Sequence, residues 1–248
     1  MSMQEIIDFH SHILPGIDDG SPCVKESLAM LRMEMEQGVP QVVMTPHFYA
    51  MEDDPERFLQ RRTEAQEILM RELKNQAGYP KLHMGAEVSF FRGMSESEFL
   101  PLLTMDGGKS ILIEMPPPPW PVTYDLELER IWQMWGIIPI IAHIDRYIRP
   151  FRTYQLPERL ADLHVLVQAN GSFFLRPATA GMAMRMLKRE QIHLLGSDCH
   201  NSQTRKPNLG RAIARIQKKL GDGALLRICE FQRQALELED SAQIPCMR

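Results

Sequence analysis

Seven short apolar runs, each ending on a polar residue able to bind a metal or a phosphate, set the frame into which this sequence must fold. Residues 6–9 lead into His10-Ser11-His12, 41–45 into Pro46-His47, 81–86 into Glu87 and 110–113 into Glu114. Residues 137–142 lead into His143, 165–169 into Asn170 and 192–197 into Asp198-Cys199-His200. The run 137–142 is apolar throughout, as in strands buried on both faces. Between the runs lie helical stretches. Leu28, Leu31 and Met35 recur at helical spacing over 24–37, which Gly38 stops; a charged helix spans 55–76 with Pro55 in its first turn. Further helices are predicted over 125–135, closed by Gly136, and over 207–220 and 223–235. Strands alternating with helices imply a parallel α/β arrangement, whose chemistry gathers at the carboxyl ends of the strands. Six of the seven runs end in His, Asp or Glu, as that rule requires.

The first run is the most telling. Alternate side chains of a strand share a face, so His10 and His12 point the same way. His-x-His alone is common on surfaces, and its weight comes from what the other strand ends supply. Collected there are His10, His12, Asp19, His47, Glu87, Glu114, His143, Asp198 and His200: five imidazoles and four carboxylates. One ion cannot use nine ligands; with bridging carboxylates the set suits two or three divalent ions. No thiolate is required, which fits Mn, Fe or Zn.

Composition bounds the function. A chain of 248 residues with 44% hydrophobic content has the size of one α/β barrel, and residues 1–248 are read as one domain. Its net charge of −4 supplies no basic field, so nucleic acid is excluded as a partner. A phosphorylated substrate would need local positive charge. Three dications against four carboxylates leave about +2, which meets that need. Cys23, Cys199, Cys229 and Cys246 show no Cys-x-x-Cys spacing, and the sequence has no signal peptide and no 18-residue apolar run. Free thiols, a cytoplasmic location and no membrane insertion are expected. The tail after residue 235 is expected to fray, and the proline-rich stretch 116–121 reads as a stiff, shaped loop.

The runs HSHILPGIDDG, TPHF, GAE, LIE, PIIAHIDRY, QANGS and SDCHN, in this order, resemble the PHP (polymerase and histidinol phosphatase) superfamily. Within it they are most similar to the bacterial capsule-regulating, manganese-dependent protein tyrosine phosphatases. The resemblance covers residues 6–209 and implies a distorted seven-stranded β/α barrel holding two or three ions, with Mn favoured over Fe or Zn. It also implies a partition: one ion on His10, His12, Glu87 and Asp198, a second on Glu87, Glu114 and His143, a third on Asp19, His47 and His200. Arg146 and Arg205 match positions where that group places phosphate-binding arginines, a role suited to the planar guanidinium. The implied substrate is a phosphotyrosyl protein, with a bacterial tyrosine autokinase of polysaccharide export as partner. The segment Ile144-Asp145, where the family often has Pro-Glu, and the proline-rich loop depart from the pattern where substrate is read. A small-molecule phosphatase of the histidinol-phosphate type, a phosphodiesterase and a non-catalytic phosphate-binding module are the alternatives.

Cys199 and Arg205 reproduce the Cys-x5-Arg spacing of thiolate-dependent tyrosine phosphatases. The five residues between them contain no glycine, although a phosphate-wrapping loop commonly uses it. If Asp198 and His200 face inward, Cys199 faces away, as a buried inert thiol. His83, His164 and His193 lie within or before strands and are read as packed or surface histidines. The aromatics Phe48, Tyr49, Phe90, Phe91, Trp120 and Tyr147 follow strand ends and are candidates to frame a substrate ring.

Overall fold

The computed structural model describes residues 6–74, 76–148 and 155–237; the tail expected to fray and Cys246 lie outside the described residues. The elements run β1 (Ile7–Ser11), α1 (Val24–Glu36), β2 (Gln41–Met44), β3 (His47–Phe48), α2 (Pro55–Leu73), β4 (Lys81–Met84), β5 (Glu87–Ser89), β6 (Ser110–Glu114), α3 (Val122–Trp135), β7 (Ile138–Ile141), α4 (Leu156–Ala161), β8 (Leu166–Asn170), α5 (Gly171–Leu175), α6 (Pro177–Lys188), β9 (Leu194–Gly196), α7 (Leu209–Leu220) and α8 (Asp222–Glu237). Local chemistry explains several boundaries. Asp54 caps α2 by accepting the Arg57 N–H, with Pro55 opening the helix, and Gly136 ends α3 in a left-handed conformation.

All strand pairings are parallel. One sheet is ordered β1-β2-β4 and the other β3-β5-β6-β7-β8-β9. A bridge between Ser11 and Cys199 joins β1 to the segment after β9, curling the whole into a half-barrel. Two of the seven expected strands are divided, giving nine among the described residues. Thr45-Pro46 separates β2 from β3 and Gly85-Ala86 separates β4 from β5. A proline nitrogen cannot donate to a ladder, so pairing lapses there and resumes one step on. Residues 171–188, given no element from sequence, form α5 and α6.

The sheet has a core on each face. Outside, Met30 and Leu31 of α1 and Phe58 and Leu69 of α2 pack against Val42, Met44, Ile111 and Ile113. Inside the curl, Ile7 and Phe9 pack with Val43, Leu112, Ile140 and Leu194. β1 then changes phase. Asp8 pairs with Val42 but Ser11 pairs with Met44, so β1 holds one more residue than β2 over that interval. This bulge lets Phe9 face the inner core while His10 also turns inward. No described helix is long and apolar enough to cross a membrane.

Candidate metal centre

Glu87, at the start of β5 and almost wholly buried, is the hub of the carboxyl end. Its Oε2 lies 3.1 Å from His10 Nε2, 3.3 Å from His12 Nε2 and 3.1 Å from His47 Nδ1, and its Oε1 lies 2.8 Å from His143 Nε2. Around this hub stand the other candidates. Glu114 lies 3.4 Å from His143, and Asp198 lies 3.7 Å from both His10 and His12. Asp19, 65% exposed, approaches His47 at 3.5 Å and His200 at 3.4 Å. All nine candidate ligands thus meet in one place.

The donor set fits divalent cations. His10 Nε2 and His12 Nε2 face each other at 3.0 Å, a distance at which two ring nitrogens need something positive between them. Glu87 Oε2, His47 Nδ1 and His200 Nε2 are buried without a hydrogen bond, a costly condition unless a ligand completes them. Among the nine candidates three groups have donor atoms close enough to share an ion: His12, Asp19, His47 and His200; His10, His12 and Asp198; and His47, Glu87 and Glu114; a fourth such group, Asp8, Glu34 and Cys199, lies outside the nine. This grouping crosses the lines of the partition implied by resemblance, with His12 and His47 each standing in two groups.

Four supporting residues escaped the sequence reading. Asp18 Oδ2 accepts from His12 Nδ1 at 2.8 Å, turning Nε2 toward the hub. Gln168 Oε1 faces His10 Nδ1 at 3.3 Å and accepts the His143 N–H at 2.6 Å. Asn170 Nδ2 donates to Asp198 Oδ2 at 3.0 Å. Asp8 Oδ1 accepts the N–H of His10 and of Ser197. Asp18 sits beside a residue that was singled out, and Asn170 closes a strand; Gln168 and Asp8 carry no such signal. Two glycines leave necessary room. A Cβ on Gly20 would lie 2.3 Å from the His12 carbonyl oxygen, and one on Gly196 would lie 2.6 Å from His10 Cβ. Two candidate ligands carry strain themselves: His143 (φ 32°) and Asp198 (φ 53°) sit in the left-handed region, at about 1–3 kcal/mol each.

Charge is concentrated here. Burial works against ionising Glu87 and Asp198, but the histidines around both, and Arg146 beside Asp198, hold these carboxyls well below their usual range. Burial likewise works against a charge on His12 and His143. Asp18 and Glu87 nevertheless lift His12 to about 10, and Glu114 and Glu87 lift His143 to about 9. Burial and the neighbouring His12 charge push His200 down to about 4.

The two arginines frame the opening. Arg146 Nη2 donates to Asp198 Oδ2 at 2.5 Å and Nη1 to Glu114 at 3.2 Å; Arg205 Nη2 donates to Asp198 Oδ1 at 2.9 Å. Each guanidinium is about 40% exposed, so both still face solvent. Asp145, at the departure from the family pattern, accepts the Asn170 N–H and ties the turn after β7 to β8.

Cys199 is fully buried, and burial raises its thiol well above the ordinary range. The Cys-x5-Arg spacing therefore presents no thiolate nucleophile. The aromatic candidates divide. Phe48, Trp120 and Tyr147 belong to the core; Trp120 packs on Tyr147 and donates to the Pro116 carbonyl, which pins the proline-rich loop. They cannot frame a ring. Tyr49 is exposed and stacks on His47, with ring centroids 5.2 Å apart, while Phe90 and Phe91 are half-buried against Tyr124 and Phe99.

Comparison with known proteins agrees over nearly the whole chain. The family described as capsular polysaccharide synthesis, CpsB/CapC, matches residues 6–235. The tyrosine-protein phosphatase YwqE of Bacillus subtilis is 30% identical over 231 residues, covering 87% of this chain and 85% of its own. The tyrosine-protein phosphatase CpsB of Streptococcus pneumoniae is also 30% identical, covering 87% and 91%. A solved structure from a study of those two proteins, described as unique metal-dependent tyrosine phosphatases, superposes with a TM-score of 0.81 at 25% identity over 93% of this chain and 94% of that one.

Proposed function

The chain belongs to the CpsB/CapC family of capsular polysaccharide synthesis, and from that footing we propose that it hydrolyses phosphotyrosine in protein by metal-dependent chemistry. It is a phosphoric monoester hydrolase of the tyrosine-protein phosphatase kind, like its relatives. The observation that carries this reading is the position of Glu87, within 3.3 Å of nitrogens on four histidines. Such a hub serves no purpose in a purely structural core, where each buried charge needs one partner of its own.

In this reading His10, His12, Asp19, His47, Glu87, Glu114, His143, Asp198 and His200 hold two or three divalent ions, with Mn favoured. Bound there, the ions supply a water of lowered pKa and the charge to neutralise a phosphate dianion. The rest falls to the chain. Arg146 and Arg205, whose forks already reach the edge of the centre, take phosphate oxygens and set phosphorus for in-line attack. The Glu114 and Asp198 oxygens that now occupy those guanidinium groups keep them in place beforehand. The phenolate of tyrosine, with a pKa near 10, leaves with little protonation, so no strongly acidic donor is needed. Cys199 takes no part. Tyr49, stacked over His47 at the edge, flanks the aromatic ring of the substrate.

The finer reading follows. The nine strands occupy the seven positions of a PHP-type barrel, residues 1–248 form one domain working in the cytoplasm, and the phosphotyrosyl partner is a bacterial tyrosine autokinase. A phosphotyrosyl peptide assayed with chelated and Mn-restored protein, beside Cys199→Ser, tests the mechanism. Activity lost in chelator, regained with Mn and unaffected by Cys199→Ser is expected; activity that survives chelation and disappears in the variant overturns it.

A further inference from the structure

Behind the centre, between β1 and α1, lies a buried carboxyl pair that none of the chemistry above uses. Asp8 is wholly buried on β1, one residue before the bulge, and Glu34 of α1 is wholly buried against it. A carboxylate removed from water is unfavourable unless its oxygens are fully used. One of the two on Asp8 is. Its Oδ1 accepts the His10 N–H at 3.1 Å and the Ser197 N–H at 2.8 Å. The Glu34 carboxyl and the Cys199 thiol stand beside it, their atoms within 4.8 Å of one another and of the Asp8 carboxyl, and neither Glu34 oxygen has a hydrogen bond. Burial and the facing Asp8 charge push the Glu34 carboxyl well above its usual range.

The two main-chain groups that Asp8 binds are consequential. His10 is a candidate ligand at the bulge, where β1 has left its ladder with β2 and its N–H would otherwise lack a partner. Ser197 precedes Asp198, the ligand in a left-handed conformation. The Asp198 N–H then donates to the His10 carbonyl at 2.8 Å, and the His12 N–H donates to the Cys199 carbonyl at 2.9 Å. Asp8 thus closes a clasp of three hydrogen bonds joining β1 to the segment after β9, and each of those segments carries ligands.

We propose that Asp8, backed by Glu34, is a positioning residue that sets the spacing of His10 and His12 against Asp198 through the main-chain N–H groups of His10 and Ser197. The inference rests on the metal reading of the centre, since spacing matters only if those side chains share ions. It predicts that the requirement is for an acceptor oxygen at this point, not for a charge. Asn in place of Asp8 keeps the accepting oxygen, whereas Leu keeps the volume and loses it.

Titration of the chelated, whole protein with Mn alone, followed by calorimetry, tests this without any phosphatase assay. Asp8→Asn is expected to bind Mn within about threefold of the parent, and Asp8→Leu to bind about 10- to 100-fold more weakly while keeping the parent's far-ultraviolet circular dichroism. Should Asp8→Leu fail to fold, Asp8→Ser, too short to reach both N–H groups, takes its place with the same criterion. A folded Leu or Ser variant that binds Mn like the parent overturns the proposal, as does an Asn variant as weak as the Leu or Ser one. A parent that takes up no Mn overturns the metal centre itself, a failure seen before any variant is compared.

Discussion

The chain has eight histidines, and they live in two different electrostatic regimes. Five, at the carboxyl end of the sheet, share carboxylates: Glu87 alone meets His10, His12, His47 and His143. The other three each have partners of their own. His83 lies between Asp106 and Gln41, His164 pairs with Glu129 and stacks on Trp132, and His193 accepts the Val167 N–H through Nδ1. His164 and His193 stand just before β8 and β9, beside a cavity of about 190 Å³ lined by Ile138, Leu160, Val165 and Phe231. The difference separates histidines with local partners from histidines that share one carboxylate. His83 and His164 are satisfied by local side chains and His193 bonds through Nδ1 alone, whereas those around Glu87 converge on one shared carboxylate.

Breaking the shared regime at once should have the largest effect. Chelation is expected to take phosphotyrosyl-peptide hydrolysis to background, with recovery on adding Mn, while leaving the near-ultraviolet signal of Trp132 beside His164 unchanged. Removing only the hub comes next. Glu87→Gln should lower activity more than about 100-fold, beyond the usual range for losing an outer partner, and should lower Mn stoichiometry measured by elemental analysis. Asp18→Asn, which alters the partner of the His12 ring and of the His47 and Gly20 N–H groups, should weaken Mn affinity about 10- to 100-fold; unchanged affinity would show that the centre needs no such orienting.

The packed regime predicts smaller and separable effects. Burial pushes His193 down to about 4 from an ordinary 6.5, so the unfolded chain binds the extra proton first. Its contribution to stability is complete above pH 6.5 and is lost as pH falls toward 4, by about 3 kcal/mol in all. His193→Gln keeps an acceptor for Val167 and should remove that acid-linked part from denaturant unfolding curves, with activity at pH 7 unchanged. The smallest expected effect is an absence of coupling. His83→Gln and His193→Gln should add to within about 0.5 kcal/mol, whereas pairs drawn from around Glu87 should not.

How far the sequence reveals this division depends on distance along the chain. The apolar runs and the residues that end them are local, so the strand ends and all nine ligand candidates could be read directly. Gln168 could not, because its value lies in reaching His10 across 158 positions. Nor could the left-handed backbone of His143 and Asp198, whose N–H groups bond the distant Gln168 Oε1 and His10 carbonyl. The framing aromatics were misjudged for a related reason. Following a strand end places a residue near the opening, but Phe48, Trp120 and Tyr147 turn back into the core.

The single extra residue in β1 has a consequence for anyone moving this centre elsewhere. A regular strand that presents His-x-His inward must also present inward the residue two before it, and here that is Asp8, which belongs outside with Glu34. Grafting the histidines onto an even strand would therefore bury a carboxylate in oil and expel an aromatic ring. The portable unit is the irregularity together with its acid, and a deletion at residue 9 or 10 would erase the centre without touching most of its ligands.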